Sequence, residues 1–239
     1  MPEWFDAAVD AHEKLGFQPM GCKTASFDPA DEGDDAKALC IKNGSVVTRL
    51  DQWTGGDIDD AITRAFDTAF DERCDEVIYD SIGVGAAVKV GLSERTRGKS
   101  IKVTGFGGGD SVFMPNIKYV DNRTNKESFK NLRAQCYWML RDRFEKTYLA
   151  VTKGKYIDPD ELISISSSIS HLRDLKSELV RIQRVRSSRL IQIESKQDMR
   201  KRGMQSPNLA DSLMMTENSK GFEPPNVQPV YIPKAPSYG

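Results

Sequence analysis

Between Cys22 and Trp53 the chain reads as three strand-forming runs, Cys22 to Phe27, Ala38 to Lys42 and Ser45 to Trp53, the last two joined by Asn43-Gly44. Asn and Gly accept the positive φ that a two-residue hairpin turn demands, so the runs predict consecutive antiparallel strands. After them the period changes. Asp57 to Glu72 carries Ile58, Ile62, Ala65, Phe66 and Ala69 at helical spacing, Glu76 to Tyr79 is a short apolar strand, Val84 to Thr96 is again helical, and Ser100 to Phe106 is again a strand. A meander followed by strand-helix alternation predicts an α/β fold: one mixed sheet with helices on its faces.

The flanks are read from the same periodicities. Trp4, Phe5, Ala8, Val9, His12 and Leu15 predict one leading helix over 3–15, stopped by Gly16. Lys126 to Lys146 predicts a long helix carrying Phe129, Leu132, Tyr137, Leu140 and Phe144. Residues 148–170, with the serine-rich SISSSIS at 164–170, fit no period and read as an insertion. Arg189 to Ile193 reads as a last strand, Glu194 to Arg202 as a short helix, and Ser206 to Glu217 as a helix with Pro207 in its first turn. The Pro-rich end, 218–239, lacks periodicity and reads as an unstructured tail.

Composition narrows the function. No apolar run reaches the roughly 18 residues that cross a bilayer, and the N-terminus is acidic where a signal peptide is basic, so neither membrane nor secretion is expected. The four cysteines are scattered without a CxxC and the chain has 2 histidines, which argues against a zinc cage or a disulfide framework and points to a reducing cytoplasm. The net charge of -1 conceals an asymmetry: residues 1–80 hold 19 acids and 7 bases, whereas 118–155 and 173–202 each hold ten bases and four acids. Clustered carboxylates together with basic stretches suit an enzyme that binds metal and acts on a polyanion.

Three acidic segments carry that chemistry. In FDPADEGDDAKAL, 27–39, Asp28 closes the first strand and Asp31, Glu32, Asp34 and Asp35 crowd the following turn, where a hard divalent cation would relieve their repulsion; an exposed acidic turn is the competing reading. In EVIYDSIGVGAAV, 76–88, an apolar strand delivers Asp80 to its carboxyl end, the usual location of ligand sites in open α/β sheets. Gly83 and Gly85 lack the third glycine of a dinucleotide fingerprint. In ESKQDMRKRGMQSPNLADSLMM, 194–215, Asp211 opens a helix that is otherwise apolar, so it must either face solvent or be kept charged by a partner.

With the helix NLRAQCYWMLRDRF at 131–144, these segments resemble, in order, the C-terminal nuclease domain of the large terminase subunit of tailed, headful-packaging bacteriophages, over roughly residues 20–217. The resemblance implies a ribonuclease H-like fold and an acidic triad, Asp28, Asp80 and Asp211, that binds Mg²⁺ or Mn²⁺ and cuts double-stranded DNA. It implies as partners the ATPase domain of the same terminase, the portal and the small terminase subunit, in the cytoplasm of an infected bacterial host. Two departures stand out: SPNLAD places Asn208 where many relatives carry an acid, and no Walker A motif is present, so residues 1–20 read as the joint to an absent motor.

On this reading two cations activate water and neutralise the leaving oxygen. Asp28 bridges them, Asp80 and Asp211 hold one side each, and Asp34 or Asp35 assists. Lys196, Arg200, Lys201 and Arg202 grip the DNA backbone, with little sequence preference, solvated charges on a helix face being the competing reading. The competing readings are another ribonuclease H-like enzyme, such as a junction resolvase or transposase, and a docking module that needs no metal.

Overall fold

The computed structural model describes residues 2–29, 36–120 and 122–219. Helices α1 (Pro2–Ala8) and α2 (Ala11–Leu15) stand where periodicity predicts one leading helix. The break is at Asp10, whose φ of 50° turns its N–H onto the Ile165 carbonyl at 2.9 Å and its carboxylate onto the Ser167 N–H at 2.8 Å. A long-range pairing has overridden local helix propensity.

Strands β1 (Lys23–Asp28), β2 (Lys37–Asn43) and β3 (Val46–Trp53) form the expected antiparallel meander. Gly44 turns β2 into β3 with φ of 57°, and a Cβ there would collide with the Met20 carbonyl oxygen, so both conformation and space require glycine. Helix α3 (Ile58–Asp71) opens on a capping box between Asp57 and Asp60 and lays Ala61, Ile62, Ala65, Phe66 and Ala69 on the sheet. Strand β4 (Glu76–Asp80), helix α4 (Gly85–Arg95) and strand β5 (Lys102–Phe106) complete the alternation, with β4 parallel to both β1 and β5.

Beyond β5 the structure departs further from the local pattern. Strands β6 (Lys118–Val120) and β7 (Arg123–Thr124) make a separate ribbon, followed by helix α5 (Asn125–Ser128). Helix α6 (Leu132–Lys153) starts at Leu132, not Lys126, because Phe129 is extended and bridged to Ile191, and Asn131 caps the helix by accepting the Ala134 N–H. Strand β8 (Ser164–Ile165) pairs parallel with β3, so the start of the serine-rich stretch supplies a sheet edge. Helix α7 (Leu172–Arg181), unassigned by the sequence, buries Leu175. Residues 189–193 make no regular strand; they are held through bridges from Ile191 to Phe129 and from Ile193 to Arg184. Helices α8 (Lys196–Lys201) and α9 (Asn208–Met215) follow, and residues 220–239 of the Pro-rich end lie outside the described residues.

Among the described residues the main sheet has the order β5-β4-β1-β2-β3-β8. One face packs Ala25, Phe27, Leu39 and Ile41 under α3 and α4; the other packs Cys40, Leu50 and Ile78 under α1, α6, α7 and α9. Side chains alternate along a strand, so Asp28 follows Ser26, and Asp80 follows Ile78, onto the face covered by α6 and α9. All four cysteines are free, and no described helix is long and apolar enough to cross a membrane.

Candidate metal centre at the carboxyl edge of the sheet

Sheet register brings Asp28 and Asp80 together. Strands β1 and β4 run parallel with Phe27 opposite Tyr79, so the two aspartates are the next residues at the same carboxyl end. Helix α4 begins against this edge, where a Cβ on Gly85 would come within 2.9 Å of the Asp80 carbonyl oxygen, so the glycine allows a close approach here. Asp211 arrives from across the sheet on α9, every residue of which is buried. That helix is tied down by Ser26, whose hydroxyl donates to the Ser212 carbonyl, and by Asn208, whose amide donates to the Ala36 carbonyl. Asp28, Asp80 and Asp211 line one cavity of about 400 Å³, together with Arg133, Lys196 and Arg200. Asp34 and Asp35 lie outside the described residues.

Asp211 is 4 % exposed, so its charge must be held by partners. Its Oδ1 accepts from the Tyr137 hydroxyl at 2.6 Å and from Arg133 at 3.3 Å. Oδ2 is buried and makes no hydrogen bond, although the Lys196 ammonium stands 3.3 Å away. The same ammonium lies 3.5 Å from Asp28 Oδ2. Burial alone would raise the Asp211 carboxyl, but Arg133 and Lys196 hold it below the usual carboxylate range. Burial would likewise lower the Lys196 ammonium, whereas Asp211, Asp28 and Asp80 keep it raised and therefore charged. Burial, reinforced by Asp211, lifts the Tyr137 hydroxyl well above its ordinary value, so Tyr137 serves as a neutral donor.

The residues fit a divalent cation. The donors are hard carboxylate oxygens, the kind Mg²⁺ and Mn²⁺ select, and the buried Asp211 Oδ2 has the Lys196 ammonium, 3.3 Å away, as its counter-charge, a place that suits a cation. Among the described residues no three Asp, Glu, His or Cys side chains converge closely enough to hold an ion as they stand. A lysine ammonium instead occupies the space between Asp28 and Asp211, supplying the positive charge that these carboxylates need. Its side chain is 36 % exposed, so the ammonium is partly open to solvent on the cavity side.

The predicted basic grip divides in two. Lys196 and Arg200 line the cavity, whereas Lys201 is paired with Asp198 at 3.3 Å and Arg202 with Glu194 at 2.6 Å. Sequence reasoning missed Arg133 and Tyr137, which share one face of α6 at i and i+4 inside the NLRAQCYWMLRDRF segment. It also missed Glu178 on α7. That carboxylate accepts the Ala210 N–H at 2.8 Å and so caps α9, whose own N-cap residue, Pro207, offers no side-chain acceptor. Burial, with Asp211 nearby, pushes the Glu178 carboxyl up to about 7. Asn208 is a structural anchor, since its side chain is engaged with the backbone of residue 36.

Comparison with known proteins gives this geometry a context. A family profile described as the terminase RNase H-like domain matches residues 31–217. The solved nuclease domain of the large terminase subunit gp2 of bacterial virus Sf6 is 38 % identical, with a TM-score of 0.87 over 91 % of this chain and 96 % of that one. A mutant of that domain solved with manganese and beta-thujaplicinol is 37 % identical with the same TM-score and coverage. A mutant solved with calcium is 37 % identical, with a TM-score of 0.86 over 91 % of this chain and 97 % of that one. No curated protein sequence matches. The meander, the parallel pair that carries Asp28 and Asp80, and the helices on both faces are thus a ribonuclease H-like sheet, and the chain belongs to the terminase RNase H-like domain family.

Proposed function

We propose that this domain is a divalent-metal-dependent endonuclease that cuts double-stranded DNA during the packaging of a viral genome, with Asp28, Asp80 and Asp211 as its metal ligands. One observation carries the reading: a buried carboxylate oxygen, Asp211 Oδ2, without a hydrogen bond, in a cavity that it shares with Asp28 and Asp80. Mg²⁺ or Mn²⁺, as a pair, would supply an activated water and neutralise the leaving oxygen of the phosphodiester.

The chain's own groups do the rest. Tyr137 and Arg133 orient Asp211, so that one of its oxygens is engaged and the other faces the cavity. Lys196 balances the charge of Asp28 and Asp211 and, at the cavity wall, would offer its ammonium to a phosphate. Arg200 adds a positive charge at the cavity wall. None of these groups reads a base edge, so cutting has little sequence preference. Timing is then left to the partners: the terminase ATPase domain, the small subunit and the portal, in the host cytoplasm. Asp34 or Asp35, in the acidic stretch that follows Asp28 in the sequence, would assist the metal.

The test is linearisation of supercoiled plasmid with Mn²⁺, with Mg²⁺ and with EDTA, by wild type and by Asp28→Ala, Asp80→Ala and Asp211→Ala. Cleavage that requires metal and disappears in all three folded variants is the expected result. Cleavage that survives the substitutions, or a preference for branched over linear duplex, overturns it.

A further inference from the structure

Among the basic residues that the sequence assigns to DNA, Arg202 is paired with the buried Glu194, and the exposed Lys201 stands beside Asp198. The unpaired positive charge lies elsewhere. Residues 181–193, RIQRVRSSRLIQI, contain four arginines and no acid. They fold back on themselves: Arg184 is bridged to Ile193, and the Val185 N–H donates to the Gln192 carbonyl at 2.8 Å. This arm is fixed at its base. Ile191 donates to and accepts from the segment before α6, through the Ser128 carbonyl at 2.8 Å and the Lys130 N–H at 2.9 Å, while Glu194 accepts from the Gln183 N–H at 2.8 Å.

Arg186 and Arg189 flank the turn of the arm, are exposed, and have no acidic partner among the described residues. Arg184 is held over the Trp138 ring at 5.5 Å. Lys130, on the segment bonded to the arm, is exposed as well. The arm runs straight into the metal-site cavity, which its residues Gln192 and Ile193 line, followed by Ser195 and Lys196. Arg189 is three residues before Gln192, which lines the cavity.

We propose that this arm is a clamp for the phosphate backbone of duplex DNA, with Arg186 and Arg189 contacting phosphates a few base pairs from the bond cut at Asp28, Asp80 and Asp211. The proposal rests on the nuclease reading of the cavity and adds the surface that holds the substrate there. A chain of net charge -1 has no global attraction for DNA, so a local acid-free arm must provide it. Duplex DNA is favoured over an acidic protein because the arm leads into the cavity where a phosphate would be cleaved.

The experiment uses the full 239-residue chain and a short fluorescent duplex. Binding is measured by anisotropy in Ca²⁺ across a salt series, and plasmid cleavage in Mn²⁺, for wild type, Arg186→Ala/Arg189→Ala and Arg186→Lys/Arg189→Lys. The Ala pair is expected to lower the slope of log affinity against log salt by about 2, since each lost phosphate contact removes about 0.9. Cleavage should then need more DNA for half-maximal rate, with the rate at saturating DNA preserved, and the Lys pair should restore the slope. An unchanged slope with wild-type cleavage in the Ala pair overturns the clamp while sparing the nuclease. A folded wild type that neither binds nor cuts overturns both.

Discussion

Asp211 is the residue on which the site turns, because α9 leaves it only 4 % exposed, at the wall of the cavity. Its charge is held by Arg133 and Lys196, and its orientation by the Tyr137 hydroxyl, so on the proposed reading Tyr137 is a positioning residue for a metal ligand. Tyr137→Phe removes one hydrogen bond to a carboxylate and leaves the ring in the core. It should cost about 2 kcal/mol of stability at most, and reduce metal affinity or metal-dependent cleavage about 10- to 100-fold. Paired melting curves and cleavage against Mn²⁺ concentration check this; an effect on stability alone would mark the hydroxyl as merely structural. Asp28 and Asp80 are legible in the sequence because each ends an apolar strand run, and period-two alternation tells which face they take. Arg133 and Tyr137 are not, since nothing in a helix's own sequence tells which of its polar residues will meet an aspartate 74 or more positions away. The charges of Lys201 and Arg202 mislead for a similar reason: counting bases does not reveal that Asp198 and Glu194 have already taken them.

At the scale of elements, the far end of α9 is locked as firmly as its start. Glu217, just past the helix, accepts from Lys42 on β2 at 2.5 Å and from Arg143 on α6 at 2.8 Å, and all three are largely buried. Burial by itself would raise the Glu217 carboxyl, but Arg143 and Lys42 together bring it down to about 2 from an ordinary 4.5. A depressed folded-state value means that this stabilisation is present above pH 4.5 and is lost as the pH falls toward 2. Burial lowers the Lys42 ammonium even with Glu217 beside it, so the lysine is the member left exposed to cost when its partner goes. Glu217→Gln should therefore destabilise by about 3–5 kcal/mol at pH 7, with the gap to wild type shrinking as the pH approaches 2. Denaturant melts at several pH values measure it, and a gap independent of pH would contradict the assignment. The element boundaries that the sequence misses have long-range causes: α6 starts late because Phe129 is bridged to Ile191, and the leading helix breaks because Asp10 is bonded to Ile165 and Ser167. Local periodicity carries no trace of either pairing.

In the whole molecule, the mixed sheet separates two jobs. The α3 and α4 face is a closed apolar layer, whereas the α6 and α9 face buries carboxylates, Arg133 and a partly exposed lysine at its carboxyl edge. The acid-rich first third supplies Asp28 and Asp80 to that edge, and the base-rich later chain supplies Lys196, Arg200 and the arm beside it, so the charge asymmetry in the sequence becomes a cavity of carboxylates rimmed by cations. This architecture could be anticipated from the meander, the alternation and the family resemblance together. The arm could not, because its fold depends on contacts with the segment before α6. The central claim is that Asp28, Asp80 and Asp211 form one metal centre, and the most direct measurement is calorimetric titration of Mn²⁺ into wild type, the three single Asp→Asn variants and the triple variant, each checked for folding. The account predicts a saturable binding heat in wild type that is strongly weakened in every single variant and absent in the triple. Equal Mn²⁺ binding by wild type and the folded triple variant would contradict it.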